Sequence, residues 1–224
     1  MHTPDLGRLV ASEMLLSSFD IDAMAPEALL FQTGCLTIDR TEALPGMLSF
    51  TLKYPNQEVQ ASLNGSLLRH YLDDPSTQEP QVTRLWRLQQ AGDTAGLHEL
   101  FHAFFASIPN DWYRRSPIAQ FEGYWASVFY SHFGALGLDI RVEDSTHKGR
   151  IDVAVLACGA VWLFEFKVVE LLPEGRALEQ IRTKGCADKY RNRGEPIHLI
   201  GVEFSRADRN IVGFEVETLA APPV

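Results

Sequence analysis

Three ionisable residues interrupt a strongly apolar stretch of the chain, the segment GRIDVAVLACGAVWLFEFKV from Gly149 to Val168. Asp152, Glu165 and Lys167 stand among residues that otherwise favour buried strands. A charged side chain loses several kcal/mol on leaving water unless it is paired, hydrogen-bonded or bound to a metal. The segment therefore requires either a structural ion cluster or a reactive site.

The segment predicts a β-hairpin with a two-residue turn at Cys158-Gly159. In that register Asp152 lies directly opposite Glu165, so the two carboxylates are neighbours across the strands. Because side chains alternate along a strand, the opposite face is expected to be apolar. We assign to it Ile151, Val153, Val155, Trp162, Phe164 and Phe166.

The charged end of this hairpin allows two interpretations. Two carboxylates with a main-chain carbonyl and water form the oxygen-rich site that Mg²⁺ prefers, and Lys167 can stabilise charge on a phosphate. Metal-assisted hydrolysis of a phosphodiester would use all three side chains. Alternatively, Lys167 and Arg150, which is expected opposite it, neutralise Asp152 and Glu165 in a structural cluster.

The surrounding sequence predicts the elements that would hold this hairpin. A helix is expected from Ser116 and Pro117 to Gly137, and a second helix over residues 174–193. Strands are expected at about residues 138–143, in both arms of the hairpin, and in PIHLIGVEF and IVGFEVETL. The predicted order is helix, three strands, helix and two strands.

This order, with GRID on one strand and FEFK on the next, resembles the PD-(D/E)XK nuclease superfamily. Asp152, Glu165 and Lys167 match its signature, with Ile151 where the family name has proline. The resemblance implies an α/β fold with a restriction-endonuclease-like core, in which helices flank a mixed sheet. The segments FEGYWASVFYSHFGALG and ALEQIRTKGCADKYR are similar to the bacterial branch usually found C-terminal to an AAA-ATPase-like domain.

The resemblance also implies roles for individual residues. Asp152, Glu165 and the carbonyl of Phe166 would bind Mg²⁺ or Mn²⁺, and Lys167 would assist water activation. The accessory candidates are Glu122, Gln180 and Arg150, and the candidates for nucleic-acid contact are Lys148, Arg182, Lys184 and Lys189. DNA is the expected substrate, and RNA stays open.

The first third of the chain predicts a separate small unit. A helix begun by Pro26, two strands around EALPG and a helix over residues 57–71 give a winged-helix-like α+β order. FDIDAMAPEALLFQTGCLTI and LKYPNQEV resemble the tail of an AAA-ATPase-like region, here without its ATP-binding part. We therefore expect a segment at 1–78, a nuclease-like domain at 79–224, and an ATPase partner or a homodimer as possible assemblies.

The net charge and the length of the apolar runs argue against some classes of function. The chain has 224 residues and a net charge of -9, which argues against coating nucleic acid through overall charge. Its apolar runs are too short to cross a bilayer, so we expect a cytoplasmic protein without membrane contact. A nuclease fold that is catalytically silent and serves as a binding or interaction module is the main alternative function.

One competing motif is HELFH, from His98 to His102. Two histidines four residues apart on a helix can bind Zn²⁺ with the glutamate as base, as in metalloproteases. The extended pattern with a glycine and a third histidine is absent, and the flanking leucines and phenylalanines predict a buried helix. The zinc hypothesis is therefore the remote alternative.

Overall fold

The computed structural model describes residues 10–17, 25–71, 74–108, 122–146 and 149–221. The N-terminal part of the chain forms a three-stranded antiparallel sheet in the order β1-β3-β2. Two short helices and one longer helix accompany it. These elements are β1 (Val10–Ser12), α1 (Glu13–Leu16), α2 (Pro26–Gln32), β2 (Thr37–Leu44), β3 (Met47–Lys53) and α3 (Gln57–Tyr71).

The rest of the chain forms a five-stranded mixed sheet with helices on both faces. Its strands follow the order β4-β5-β6-β7-β8, and only the β6/β7 pair is parallel. The elements are α4 (Gln78–Ala91), α5 (Thr94–Ser107), α6 (Glu122–Gly134), β4 (Asp139–Thr146), β5 (Gly149–Ala157), β6 (Ala160–Val169), α7 (Arg176–Thr183), β7 (Ile197–Ser205) and β8 (Ile211–Leu219). The order helix, three strands, helix and two strands is confirmed, and with it the restriction-endonuclease-like α/β fold.

Helices α5 and α6 cover one face of this sheet through an aromatic core. The rings of Phe101 and Phe129 stack with their centres 3.8 Å apart, and Phe129 lies 4.9 Å from Phe166 of β6. Trp125 stacks on Phe204 of β7 at 4.3 Å. Each fully buried ring of this kind contributes about 1.5–3 kcal/mol, so these contacts hold the start of α6 above β6 and β7.

Helix α3 joins the N-terminal part to this core. Leu68 is fully buried in the same apolar cluster as Leu85, Phe101 and Trp125. The side chain of Asn64 packs so closely on α6 that a Cβ on Gly134 would lie 2.6 Å from its Cγ. The division of the chain at residue 78 stays a prediction, and α3 packs directly on the C-terminal part.

Two predicted helices differ from the structure in their extent. The start expected for α6, from Ser116 to Phe121, lies outside the described residues. The helix expected over residues 174–193 is wrong in its second half. It ends at Thr183, and Gly185, with a left-handed φ of 56°, separates it from a 3₁₀ helix at Cys186–Arg193. A left-handed residue breaks the α-helical hydrogen-bond ladder, and helical periodicity does not reveal such a break.

Helix α7 lies unusually close to β7, and Gly201 permits this approach. A Cβ on Gly201 would lie 2.3 Å from the backbone nitrogen of Leu178 and 2.8 Å from its Cα. Glu203, two residues further along β7, is 2% exposed and accepts hydrogen bonds from the start of the helix. Its carboxylate receives the backbone N–H groups of Glu174, Gly175, Arg176 and Ala177 at 2.5, 3.1, 2.7 and 3.3 Å.

We predict that Gly201→Ala destabilises the protein by about 1–3 kcal/mol, because the new methyl group meets backbone that cannot yield locally. Gly65→Ala is the matched control, since its Cβ would meet only the mobile end of the Gln78 side chain, at 3.1 Å. Urea unfolding of both variants measures the effect. Equal free energies of unfolding for the two variants would contradict the close approach of α7 to β7.

Candidate active site

The hairpin of β5 and β6 has the predicted turn and register. Cys158 and Gly159 both have positive φ, at 56° and 68°, as a two-residue type I′ turn requires. The paired residues run from Ala157 and Ala160 at the turn to Val153 and Phe164. The pairing ends there. The expectation that Asp152 and Glu165 form a ladder pair is therefore wrong.

Asp152 ends the ladder with its own side chain. Its Oδ2 accepts a hydrogen bond of 2.8 Å from the backbone N–H of Phe166. A side-chain carboxylate thereby satisfies a strand N–H group that β5 leaves without a carbonyl. Beyond this point β6 continues to pair with β7 as far as Val169, and the charged side chains gather where β5 and β6 separate.

The same place reverses the faces of β5, which corrects one expectation. Ile151 was expected beside Val153, but it packs in the opposite core with Ile181 and Tyr190. The neighbouring strand is irregular at the same level, where Glu143 has a positive φ of 49° between the paired residues Val142 and Asp144. A residue other than glycine rarely adopts this backbone conformation, so both strands depart from regular geometry beside Asp152.

Glu165 is the most buried of the charged side chains at the site, with 1% of its side chain exposed. Its Oε1 accepts hydrogen bonds from Gln180 of α7 and, at 2.9 Å, from the ammonium group of Lys184. Its Oε2 is buried and has no hydrogen-bond partner among the described residues. A buried carboxylate oxygen without a partner is costly, so this atom is available to a ligand.

Lys167 and Glu122 complete the group. The Lys167 ammonium lies 3.3 and 3.2 Å from the two carboxylate oxygens of Glu122, the first residue of α6. The same nitrogen is 3.9 Å from Oε1 of Glu165. The structure therefore brings together Asp152, Glu165, Lys167, Glu122 and Gln180, with Lys184 as the sixth member.

Burial sets the protonation of the two strand carboxylates. Desolvation, reinforced by the charge of Asp152, raises the pKa of Glu165 to about 7, although Lys184 and Lys167 oppose the shift. Desolvation also raises the pKa of Asp152, against the bond from Phe166 N–H and the charge of Lys167. Two carboxyl groups that resist ionisation side by side favour a cation between them.

The remaining candidates lie apart from this group or beyond the described residues. The Arg150 guanidinium bonds Glu143 at 2.8 Å, and only its backbone carbonyl reaches the site, where it accepts a 2.8 Å bond from Lys184. Arg182 pairs with Glu217 at 2.5 Å. Lys189 bonds both oxygens of the buried Asp144 at 2.6 and 2.7 Å. Lys148 lies outside the described residues.

Sequence reasoning placed Lys184 among the phosphate-contacting candidates and missed its contact with Glu165. The spacing contained a signal, because Lys184 follows Gln180 by four residues and therefore shares its helix face. Glu203 was missed altogether. It belongs to an apolar strand, and nothing near it in the sequence marks the helix N-terminus that it caps.

The HELFH motif forms no comparable site. The ring of His98 stacks on Phe214 of β8 with centres 5.0 Å apart, and Glu99 is exposed and 3.5 Å from Arg84. In the part of the chain that the structure describes, no three His, Cys, Asp or Glu side chains form a metal-binding group. The zinc hypothesis thus gains no third ligand there.

The fold and this set of side chains define a restriction-endonuclease-like domain with an acidic and lysine-containing site. The model of the PD-(D/E)XK nuclease superfamily matches residues 120–214, which include Asp152, Glu165 and Lys167. Over these residues the resemblance to the superfamily that was drawn from the sequence is confirmed.

A relative from Azotobacter chroococcum mcd 1, described as an uncharacterized protein in the vnfD 5' region, is 57% identical over 217 residues. The alignment covers 97% of this chain and 42% of the relative, so the chain spans less than half of that protein. No solved structure matches the chain. Within the described residues, no helix is both long and apolar enough to cross a bilayer.

We predict that the metal-free protein loses stability as the pH rises from about 4.5 to about 7. The pKa of Glu165 is raised from 4.5 to about 7, so the folded state holds the proton that the unfolded state releases in this range. Thermal unfolding in EDTA across this range measures the effect. Glu165→Gln should flatten the decline.

Added Mg²⁺ should stabilise the wild-type protein more at pH 8 than at pH 5, because only the ionised carboxylates bind the cation. The Glu165→Gln protein should show a much smaller gain at either pH. A wild-type melting temperature that does not respond to Mg²⁺ or Mn²⁺ at pH 8 would contradict a metal site at Asp152 and Glu165.

Proposed function

We propose that the protein is a metal-dependent nuclease that hydrolyses phosphodiester bonds in DNA at the site of Asp152, Glu165 and Lys167. One observation carries the proposal: the buried Oε2 of Glu165 has no hydrogen-bond partner among the described residues, beside a second carboxylate and a lysine. The match of residues 120–214 to the superfamily supports the same reaction class. DNA as the substrate rests on the resemblance of the sequence.

The residues present fit Mg²⁺ or Mn²⁺. Mg²⁺ is commonly bound in proteins through one or two carboxylates while it keeps several waters, and the site offers Asp152 and Glu165. The Phe166 carbonyl is the third proposed ligand. When bound, such a cation polarises a phosphate oxygen and acidifies water, which are the two requirements of phosphodiester hydrolysis.

Three side chains of the protein would then orient the reacting groups and stabilise charge. Lys167 would donate hydrogen bonds to the attacking water or to a phosphate oxygen and stabilise the charge that develops on the phosphate. Glu122 holds this ammonium at 3.2 Å and thereby fixes its direction. Gln180 orients the Glu165 carboxylate through Oε1, which leaves Oε2 for the cation.

A catalytically silent nuclease fold that binds a partner is the second candidate, and one observation favours it. Arg182, Lys184 and Lys189 each form an ion pair with a carboxylate, so the candidate contacts with nucleic acid are already neutralised. An ATPase partner or a homodimer would supply further binding surface.

We predict that the protein cuts plasmid or single-stranded DNA in Mg²⁺ or Mn²⁺ and not in EDTA. Asp152→Ala removes a metal ligand, and we expect at least about 100-fold slower cleavage. Lys167→Ala removes a charged donor, with an expected loss of about 10²–10³-fold. Gel assays of nicked and linear product measure the rates.

The control for both variants is Asp139→Asn, which changes an exposed carboxylate that pairs with Arg141 on β4 and should cut like the wild type. Circular dichroism establishes that all proteins are folded. Wild-type protein that binds Mn²⁺ without cutting DNA or RNA would favour the silent module. Equal cutting by the wild type and Asp152→Ala would exclude the site.

A further inference from the structure

Two lysines from different elements converge on one oxygen of Glu165. Lys184 Nζ lies 2.9 Å from Oε1, and Lys167 Nζ lies 3.9 Å from the same atom. Their side chains are similarly exposed, at 24% and 23%, whereas Glu165 is buried beneath them. Both lysines are therefore partly accessible to solvent while they contact a carboxylate that is not.

Lys184 has two contacts in addition to its ion pair with Glu165. Its ammonium also donates a 2.8 Å hydrogen bond to the Arg150 carbonyl. Its stem passes over Gly149, where an added Cβ would lie 3.2 Å from the lysine Cδ. Fixing a lysine side chain costs conformational entropy, and the contacts with a carbonyl, a glycine and a carboxylate offset this cost.

The helix that carries Lys184 is fixed to the strand beside the site. Gly201 and Glu203 hold the start of α7, and they pair in register with Glu165 and Lys167 of β6. Lys184 is the residue that directly follows the last turn of α7. The position of its ammonium is therefore set through β7, the strand that pairs with Glu165 and Lys167 of β6.

The charge balance gives Lys184 a function. The carboxylates of Asp152, Glu165 and Glu122 carry three negative charges, and Lys167 supplies one positive charge. A divalent cation would make this set neutral, with no attraction for a phosphodiester. Lys184 makes the loaded site positive by one charge, which matches the single negative charge of the scissile phosphate.

We propose that Lys184 is a second catalytic lysine of this site and donates a hydrogen bond to a non-bridging oxygen of the scissile phosphate. The inference rests on the proposed nuclease function. Lys184 keeps its proton throughout. Water forms the new P–O bond and releases a proton to solvent, while the bond to the leaving oxygen breaks and that oxygen keeps the electron pair and takes a proton from solvent. The two lysines share the charge that develops on the phosphate.

The test uses the full chain with Lys184→Met, which keeps most of the stem and removes the charge. Lys184→Arg keeps the charge, and Arg176→Met is the matched control on the same helix, where the exposed guanidinium pairs with Glu174 instead. Single-turnover cleavage of DNA is measured at saturating Mn²⁺. Mn²⁺ affinity without DNA is measured by electron paramagnetic resonance.

We expect Lys184→Met to lower the single-turnover rate about 100-fold at saturating Mn²⁺ while Mn²⁺ binds as tightly as before or more tightly. Lys184→Arg should recover part of the rate, and Arg176→Met should change it by less than about threefold. A normal rate with tighter Mn²⁺ binding would mean that Lys184 only neutralises Glu165, and would overturn the inference.

Three other results would also overturn it. A Lys184→Met protein with a lowered melting temperature and weakened Mn²⁺ binding, whose lost rate Lys184→Arg does not recover, would show a structural role. A wild-type protein that does not cut nucleic acid would remove the proposed function and this inference together. Normal cutting by the wild type that depends on Asp152 but not on Lys184 would remove the inference alone.

Discussion

The hydrogen bond from Phe166 N–H to the Asp152 carboxylate decides the geometry of the site. It ends the β5/β6 ladder with a side chain in place of a carbonyl, while β6 continues beside β7. The two strands of the hairpin separate at this bond. The charged residues of both strands are thereby grouped in an opening rather than stacked along a closed ladder.

Both faces of the sheet contribute to that opening. Glu122 comes from α6, whose aromatic side chains pack on one face, and Gln180 comes from α7 on the other. The packing of either helix therefore affects the position of a polar group at the strand ends. This arrangement explains why a glycine and a buried glutamate on β7 matter to chemistry on β6.

The sequence predicted the hairpin, its turn and the order of elements, because apolar alternation and turn residues act locally. It did not predict the reversal of faces at Asp152, where the neighbouring strand also departs from regular geometry at Glu143. The expected clustering of Arg150 with Asp152 and Glu165 is wrong because its guanidinium pairs with Glu143 instead. The contact of Lys184 with Glu165 could not be predicted without the position of α7. That position is set by contacts with β7, which follows in the chain.

The cap that Glu203 provides also has a consequence for the order of assembly. The helix N-terminus that it satisfies is at Glu174–Ala177, more than twenty residues earlier in the chain. A polypeptide synthesised only as far as α7 has all the signature residues but lacks this acceptor and the parallel partner of β6. Because parallel pairing closes a long loop, it is a slow, non-local step of folding. The group of charged side chains at the strand ends is thus completed late, after β7 has been synthesised.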